Sequence, residues 1–470
     1  MIATSRRAAC AAVVTASLTL TDVHAAQRVA GPPDAPPSAA QPATPSTPAS
    51  AQKPATPKPA TPATPATSTP KPAGEKPVGE KPALAAAGVP PSEAAPGAPG
   101  APGKTAPAAN AQTLPAAIEK LGSLEFPVRM QASRTVRRAP AAQAVPALIA
   151  AATKHKDGYV RFRALVLLAG FGDPQVKAVM TGVMDDPNDR LRDVAYAYFE
   201  RNPDPALAPR LLVNIDKETS EFVRPSLVRA LAALGTDPAV QKVMLREATR
   251  GQDFFRGSVI AALGNHKAAY ALTTLTAIAK QDGPLQDDAV LALGQIGDKR
   301  ALDTIAAQQR AAPRERQPAL AASICLLGVN CGSHEKFLVQ TLDFTVLNPG
   351  FQDLVRSTAN GLSKLAASGR DSAWDLLLDK GQHTVDPVRA PMALALASAA
   401  VANPEASLAA LGRAVEPKAA LMLMRDGFDM LEEDFNEEQY YVAIRRAYWK
   451  TPEGGPARKA AEALITTLEF

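Results

Sequence analysis

From Val128-Arg129 onward the chain repeats itself every ~31 residues, and this period limits what it can fold into more than any other feature. An apolar residue followed by arginine recurs at Val160-Arg161, Leu191-Arg192, Val223-Arg224 and Phe255-Arg256, at steps of 32, 31, 32 and 32 residues. Fainter copies begin at Leu285, Arg316, Val355, Val388, Ala420 and Ala457, which makes eleven starts in the stretch from Leu114 to Phe470. A repeat this short holds one supersecondary unit, and such a unit must bury its apolar face against its neighbours.

Counted from each start, positions +4, +7, +8 and +11 are mostly apolar, a spacing that lays them on one face of a helix. Val223, Leu227, Ala230, Leu231 and Leu234 show it, as do Leu285, Ala289, Ala292, Leu293 and Ile296. Between these helices Asp173-Pro174, Asp204-Pro205, Asp237-Pro238 and Asn403-Pro404 carry the signature of new helix starts, an amide-capping side chain followed by proline in the first turn. Gly170, Gly235, Gly264, Gly294 and Gly328 are placed to end the preceding helices. The unit reads helix, turn, helix, turn. The predicted fold is therefore all-α, an α-solenoid: a superhelical stack of about eleven helix pairs.

Composition separates this fold from what precedes it. Of the 43 prolines, 22 lie between Gln27 and Asn110, in runs of Ala, Pro, Thr and Lys with almost no large apolar residue. Such a segment cannot bury enough surface to offset chain entropy, and 27–112 is expected to be a disordered linker with polyproline character. Ahead of it, Arg6-Arg7, an apolar stretch from Ala8 to Leu20 and the small residues Ala25-Ala26 read as a cleaved secretory signal over 1–26. The apolar stretch is too short for a membrane span, and none follows it. The expected organisation is signal 1–26, linker 27–112, regular repeats 113–328, an insertion loop 329–350 where one step lengthens to 39 residues, and divergent repeats with a cap over 351–470.

The net charge of +5 does not point to nucleic acid, because most of it lies outside the repeats. The linker holds seven Lys/Arg against four Asp/Glu, and the repeats are close to neutral, unlike a phosphate-tracking surface. Export to an oxidising compartment, periplasmic or extracellular, makes Cys325 and Cys331 candidates for a local disulfide; two free thiols are the alternative.

At Val160-Arg161-Phe-Arg-Ala-Leu-Val-Leu-Leu-Ala-Gly170 with Gly172-Asp173-Pro174, and again at Asp288-Ala-Val-Leu-Ala-Leu-Gly-Gln-Ile-Gly-Asp298, the chain resembles the short bacterial HEAT-like repeats of the phycobilisome-lyase type. The resemblance is good over about 157–328 and fades toward both ends. It implies an α-solenoid used as a protein-binding platform and identifies no catalytic residue.

Eight starts carry arginine, at Arg129, Arg161, Arg192, Arg224, Arg256, Arg356, Arg389 and Arg458, and on a solenoid these align into a ladder. Acids stand three or four residues before six of them, at Asp157, Asp189, Glu221, Asp253, Asp353 and Asp386, so the ladder reads as structural ion pairs. An anionic glycan is the alternative ligand. Partner-binding candidates are His334, Glu335 and Phe344 in the expected loop, and Tyr440, Tyr441 and Trp449 in an aromatic cluster near the C-terminus. The four mature histidines have no zinc-ligand spacing. The acids from Asp426 to Glu438 do not follow an EF-hand and read as a polar cap. The expected function is a non-enzymatic scaffold without cofactor or metal, holding an envelope protein along the concave face. A cell-wall or anionic-glycan module using the arginines and the basic linker is the alternative.

Overall fold

The apolar stripes of the repeat copies are buried where the period places them: Val160, Leu191, Val223, Phe255, Leu285, Val355, Val388 and Ala420 all lie in the core. The structure, a computed structural model, describes residues 113–431 and 434–470. The expected signal and linker lie outside the described residues. No helix among the described residues is long and apolar enough to cross a membrane.

Eleven helix pairs make up the described chain. The first six are α1 (Thr113–Lys120) with α2 (Phe126–Arg138), α3 (Ala141–Lys154) with α4 (Gly158–Ala169), α5 (Gln175–Val183) with α6 (Asp189–Arg201), α7 (Ala208–Lys217) with α8 (Arg224–Ala233), α9 (Pro238–Thr249) with α10 (Asp253–Asn265), and α11 (Leu272–Ala279) with α12 (Gln286–Ile296). The remaining five are α13 (Leu302–Ala311) with α14 (Gln317–Leu326), α15 (Cys331–Leu347) with α16 (Gln352–Ala367), α17 (Asp371–Gln382) with α18 (Arg389–Ala402), α19 (Pro404–Arg413) with α20 (Pro417–Leu431), and α21 (Asp434–Lys450) with α22 (Pro456–Thr467). The second helix of each pair, which carries the repeat start, packs on the second helices of its neighbours from α4 to α20, and the first helices form an outer row. This is an α-solenoid.

Capping explains where the first-row helices begin. Asp173 accepts from the Gln175 amide, Asp204 from Ala206, Asp237 from Ala239 and Val240, and Asn403 from Ala406, each satisfying a backbone donor that no helical carbonyl reaches. Two of the expected helix-ending glycines do a different job. Gly264 and Gly294 remain inside α10 and α12, where a Cβ would fall 2.8 Å from the Cα of Ala292 and of Ser323 respectively, so they let neighbouring second-row helices approach. Gly297, in the left-handed region, ends α12 instead.

The expected loop at 329–350 is mostly helix. The extra residues lengthen α15 to 17 residues instead of forming an open insertion. Gly328 and Asn330 take positive φ, which reverses the chain tightly after α14 and brings Cys325 and Cys331 together as a disulfide with Cα atoms 4.3 Å apart.

The last pair closes the stack on itself. Helix α21 packs on α18 and α19 on one side and on α4 and α6 on the other, and Phe435 enters the apolar cluster built from the first seven pairs. The second-row helices α4 and α6 of the early repeats are thus in contact with the chain's own C-terminal helix α21.

Along the second row, Glu200 of α6 accepts from Arg229 of α8 at 3.0 Å and faces the His266 imidazole after α10 at 3.3 Å. Burial alone would raise the Glu200 pKa, but the His266 hydrogen bond and the Arg229 charge outweigh it and hold the carboxyl below its usual range. A depressed carboxyl pKa contributes stability that is complete above the unfolded value near 4.5 and disappears as the pH falls through the folded value. Glu200→Gln should therefore flatten the acid limb of a melting-temperature profile below about pH 4.5. An acid limb as steep as the parent's would contradict this role.

Candidate functional site

Most arginines of the repeat starts reach back to the end of their unit's first helix or the turn after it, and four of the eight reach forward to the next unit. Arg161 donates to the Ala152 carbonyl at 3.0 Å, Arg256 to Ala248 at 3.2 Å, Arg389 to Gly381 at 3.1 Å and Arg458 to Thr451 at 3.2 Å, each satisfying a carbonyl at or near a helix end. Arg161 also pairs with Asp186, Arg192 with Glu218 through two 2.8 Å bonds, Arg224 with Glu247 at 3.7 Å, and Arg389 with Asp426 at 2.7 Å. Arg129 donates to the carbonyls of Ser123 and Leu124, and Arg356 pairs with Asp353. The expected acid three or four residues upstream is the partner only for Arg256 and Arg356. For Arg161, Arg192, Arg224 and Arg389 the carboxylate comes from the next unit, because the guanidinium points along the stack and not along its own helix, while Arg458 uses Glu453 of its own unit.

A polar clasp holds α21 and α22 to the first repeats. Glu438 accepts two bonds from Arg137, at 2.6 and 2.8 Å, and one from Arg445 at 3.3 Å. Its side chain is 1% exposed and that of Arg137 6%, so the pair is fully desolvated. Arg163 pairs with Asp434, Arg134 with Glu469, and Arg201 donates to Asn436 at 3.1 Å. Two of the acids read from sequence as a cap, Asp434 and Glu438, are the partners of arginines some 270 to 300 residues earlier.

A cleft of about 1050 Å³ lies between the early repeats and α20 to α22. One wall carries Phe126, Tyr159, Phe222 and Phe254; the other carries Arg425, Phe428 and Asp429. Phe126, Phe222 and Phe254 are 60%, 56% and 71% exposed, and each stands at a repeat start, one or two residues before the apolar anchor. Arg190, which takes that position in the copy between Tyr159 and Phe222, lies 5.8 Å from the Tyr159 ring and 5.5 Å from Phe162. Arg129 lies 5.7 Å from Phe126 and 6.0 Å from Tyr159, so aromatic faces and guanidinium groups alternate along this edge.

The family model described as HEAT repeats matches residues 114–200, the stretch that supplies most of this edge. Residues 114–200 are HEAT-like repeats. Several solved structures are similar to parts of the chain. Escherichia coli YibA is 18% identical, with a TM-score of 0.35 and 47% of this chain covering 82% of that one. The CpcE–CpcF phycocyanin lyase complex of Nostoc sp. PCC7120 is 20% identical, with a TM-score of 0.31 and coverage of 49% and 92%. Kap95p, described with RanGDP, is 13% identical, with a TM-score of 0.33 and coverage of 76% and 54%. No curated protein matches the chain.

The HEAT-like stack disperses or buries most of the residues that the sequence offered for partner binding. Tyr440 is fully buried with its hydroxyl 3.2 Å from that of Ser407, and Tyr441 is buried against Phe470 with ring centroids 4.1 Å apart; burial pushes both phenols up. They are core residues of the last pairs, not a surface. Trp449, 76% exposed, is on the surface. Glu335 accepts from Arg370 at 2.9 Å and Ser372 at 2.7 Å, which ties α15 to α17. His334 is half-buried, and burial holds its imidazole pKa down. Phe344 packs edge-on against Phe351 at 5.1 Å under the Arg314 guanidinium. Among the described residues Cys325, Cys331 and Glu335 form one cluster of metal-ligand types, but the two sulfurs are bonded to each other and the carboxylate is engaged.

The aromatic edge was missed because its members occupy the position just outside the helical stripe. A signal was present: in a chain with 13 Phe and 7 Tyr, the residue directly before the start is aromatic at Tyr159, Phe222 and Phe254.

Proposed function

We propose that this HEAT-like protein is an exported, non-enzymatic scaffold that holds an envelope protein against the aromatic edge of the cleft. One observation carries the reading: aromatic side chains of 56% to 71% exposure recur in register at the rim of a large cavity. Exposed aromatic rows of this kind serve as anchors for a partner chain, and truncating one such anchor commonly costs binding about 2 kcal/mol or more. The signal-like sequence of 1–26 supports the envelope location. The arginine ladder supports a glycan reading less well, since its guanidinium groups are engaged by carbonyls and carboxylates of the stack.

The full chain and its Phe126→Ala/Phe222→Ala/Phe254→Ala variant are each used to capture proteins from an envelope extract, with circular dichroism confirming equal helix content. A partner reproducibly bound by the parent should be lost by the triple variant, with an affinity drop of at least ~100-fold for the purified pair. Equal capture by both chains, or a partner released by moderate salt as for a glycan, would remove the edge from the mechanism.

A further inference from the structure

A second cavity, of about 290 Å³, opens between α2, α21 and α22 and shares Arg137 with the cleft. Its lining combines Tyr448, Trp449 and Phe470 with Arg137 and Arg138 of α2 and Arg445 of α21. Its charges do not balance. A single carboxylate, Glu438, serves both Arg137 and Arg445. Arg134, also on the wall, has Glu469. Glu462 is exposed at the rim, and Arg138 is exposed with no ion pair among the described residues. Four guanidinium groups thus face three carboxylates. Nη1 of Arg137 and Nη1 of Arg445 are buried with no acceptor. Burial lowers the Arg445 pKa, and the positive charges of Arg137 and Arg446 add to it against the opposing Glu438, which is the same excess seen from one residue.

We infer that this cavity binds a carboxylate bearing an aromatic side chain, with the carboxylate at Arg138 beside the guanidinium cluster and the ring against Trp449. Planar guanidinium groups match a carboxylate through paired N–H donors. Trp449, 76% exposed and edge-on to Tyr448 at 5.1 Å, offers a ring face with little cover of its own. The volume is at the small end of ligand cavities, which suits one amino-acid-sized group and not a length of peptide. The same chemistry is supplied by a free aryl carboxylate and by the last residue of a polypeptide. The inference does not depend on the proposed partner at the cleft.

The chain has two tryptophans, and Trp374 is fully buried, so a ligand-dependent change in fluorescence reports on Trp449. The full chain is titrated with N-acetylphenylalanine, with its amide, and with a heptapeptide ending in a free phenylalanine carboxylate. The acid should give a saturable change, the amide should bind at least ~10-fold more weakly, and Arg138→Gln should weaken the acid by a similar factor. Arg138 is exposed and makes no hydrogen bond or ion pair among the described residues, so this variant should keep its fold, which circular dichroism checks. A peptide tighter than the free acid assigns the site to a polypeptide terminus; a peptide no tighter assigns it to a small acid. Absence of saturation by both acid and peptide, equal binding of the amide, or an Arg138→Gln chain that binds like the parent would each overturn the assignment.

Discussion

Glu438→Ala should detach the C-terminal helix pair from the first repeats and lower stability by about 3–5 kcal/mol, the usual cost of removing one member of a buried ion pair. The size follows from desolvation. Glu438 is 1% exposed and holds Arg137, itself 6% exposed, together with Arg445. Without the carboxylate, the Arg137 guanidinium is left buried without its counter-charge, beside the like charge of the partly exposed Arg445. Replacing both main partners by apolar residues, as in Arg137→Met/Glu438→Leu, should cost much less, because the penalty belongs to the orphaned charge and not to the lost attraction. Exposed pairs such as Arg356–Asp353 set the opposite limit, about 0–1 kcal/mol. Urea unfolding gives the energies, and small-angle scattering checks the mechanism. The radius of gyration should rise in Glu438→Ala while helix content stays near the parent's, since a stack held by nearest-neighbour contacts can lose its closing pair without unfolding the rest. A Glu438→Ala chain as stable and as compact as the parent would show that the apolar contacts of Phe435 close the stack unaided.

The repeat was legible from the sequence because its information is local. An apolar residue, an arginine and a stripe at +4, +7, +8 and +11 describe one helix and its immediate neighbour, and the period adds the rest. The buried positions of Val160, Leu227 and Leu293 follow directly from it. Closure is different in kind. Whether eleven pairs meet depends on small rotations accumulated from pair to pair, and no single residue encodes that sum. Hence the acids around Asp434 and Glu438 looked like a solvated cap, although their partners are Arg163 and Arg137. The same accumulated geometry turns Tyr440 from a surface candidate into core. The long step before Val355 misled for a simpler reason: added length reads as loop unless its own periodicity is checked, and α15 absorbs it as extra helical turns.

Close approach of helices is the other term the repeat pattern conceals, and Gly427→Ala should expose it by lowering stability by about 2 kcal/mol. In the interior of an exposed helix this substitution would gain about 1 kcal/mol, since alanine restricts the unfolded chain and favours the helix. At Gly427 the added Cβ would fall 2.2 Å from the Ala393 carbonyl oxygen and 2.9 Å from the Ala397 Cβ. The obstructing atom is helical backbone, which cannot rotate away as a side chain would, so α20 must move off α18. Overpacking of this kind costs typically 1–3 kcal/mol, and a rigid carbonyl places Gly427 at or beyond the upper end. Gly182 provides the reverse case. It also lies within a helix, α5, but nothing stands within 4 Å of its Cβ position, so Gly182→Ala should raise stability by up to about 1 kcal/mol. Opposite shifts of the urea midpoint at constant slope test both together. If the two variants shift in the same direction, the separation of α18 and α20 is not fixed by the missing side chain at Gly427.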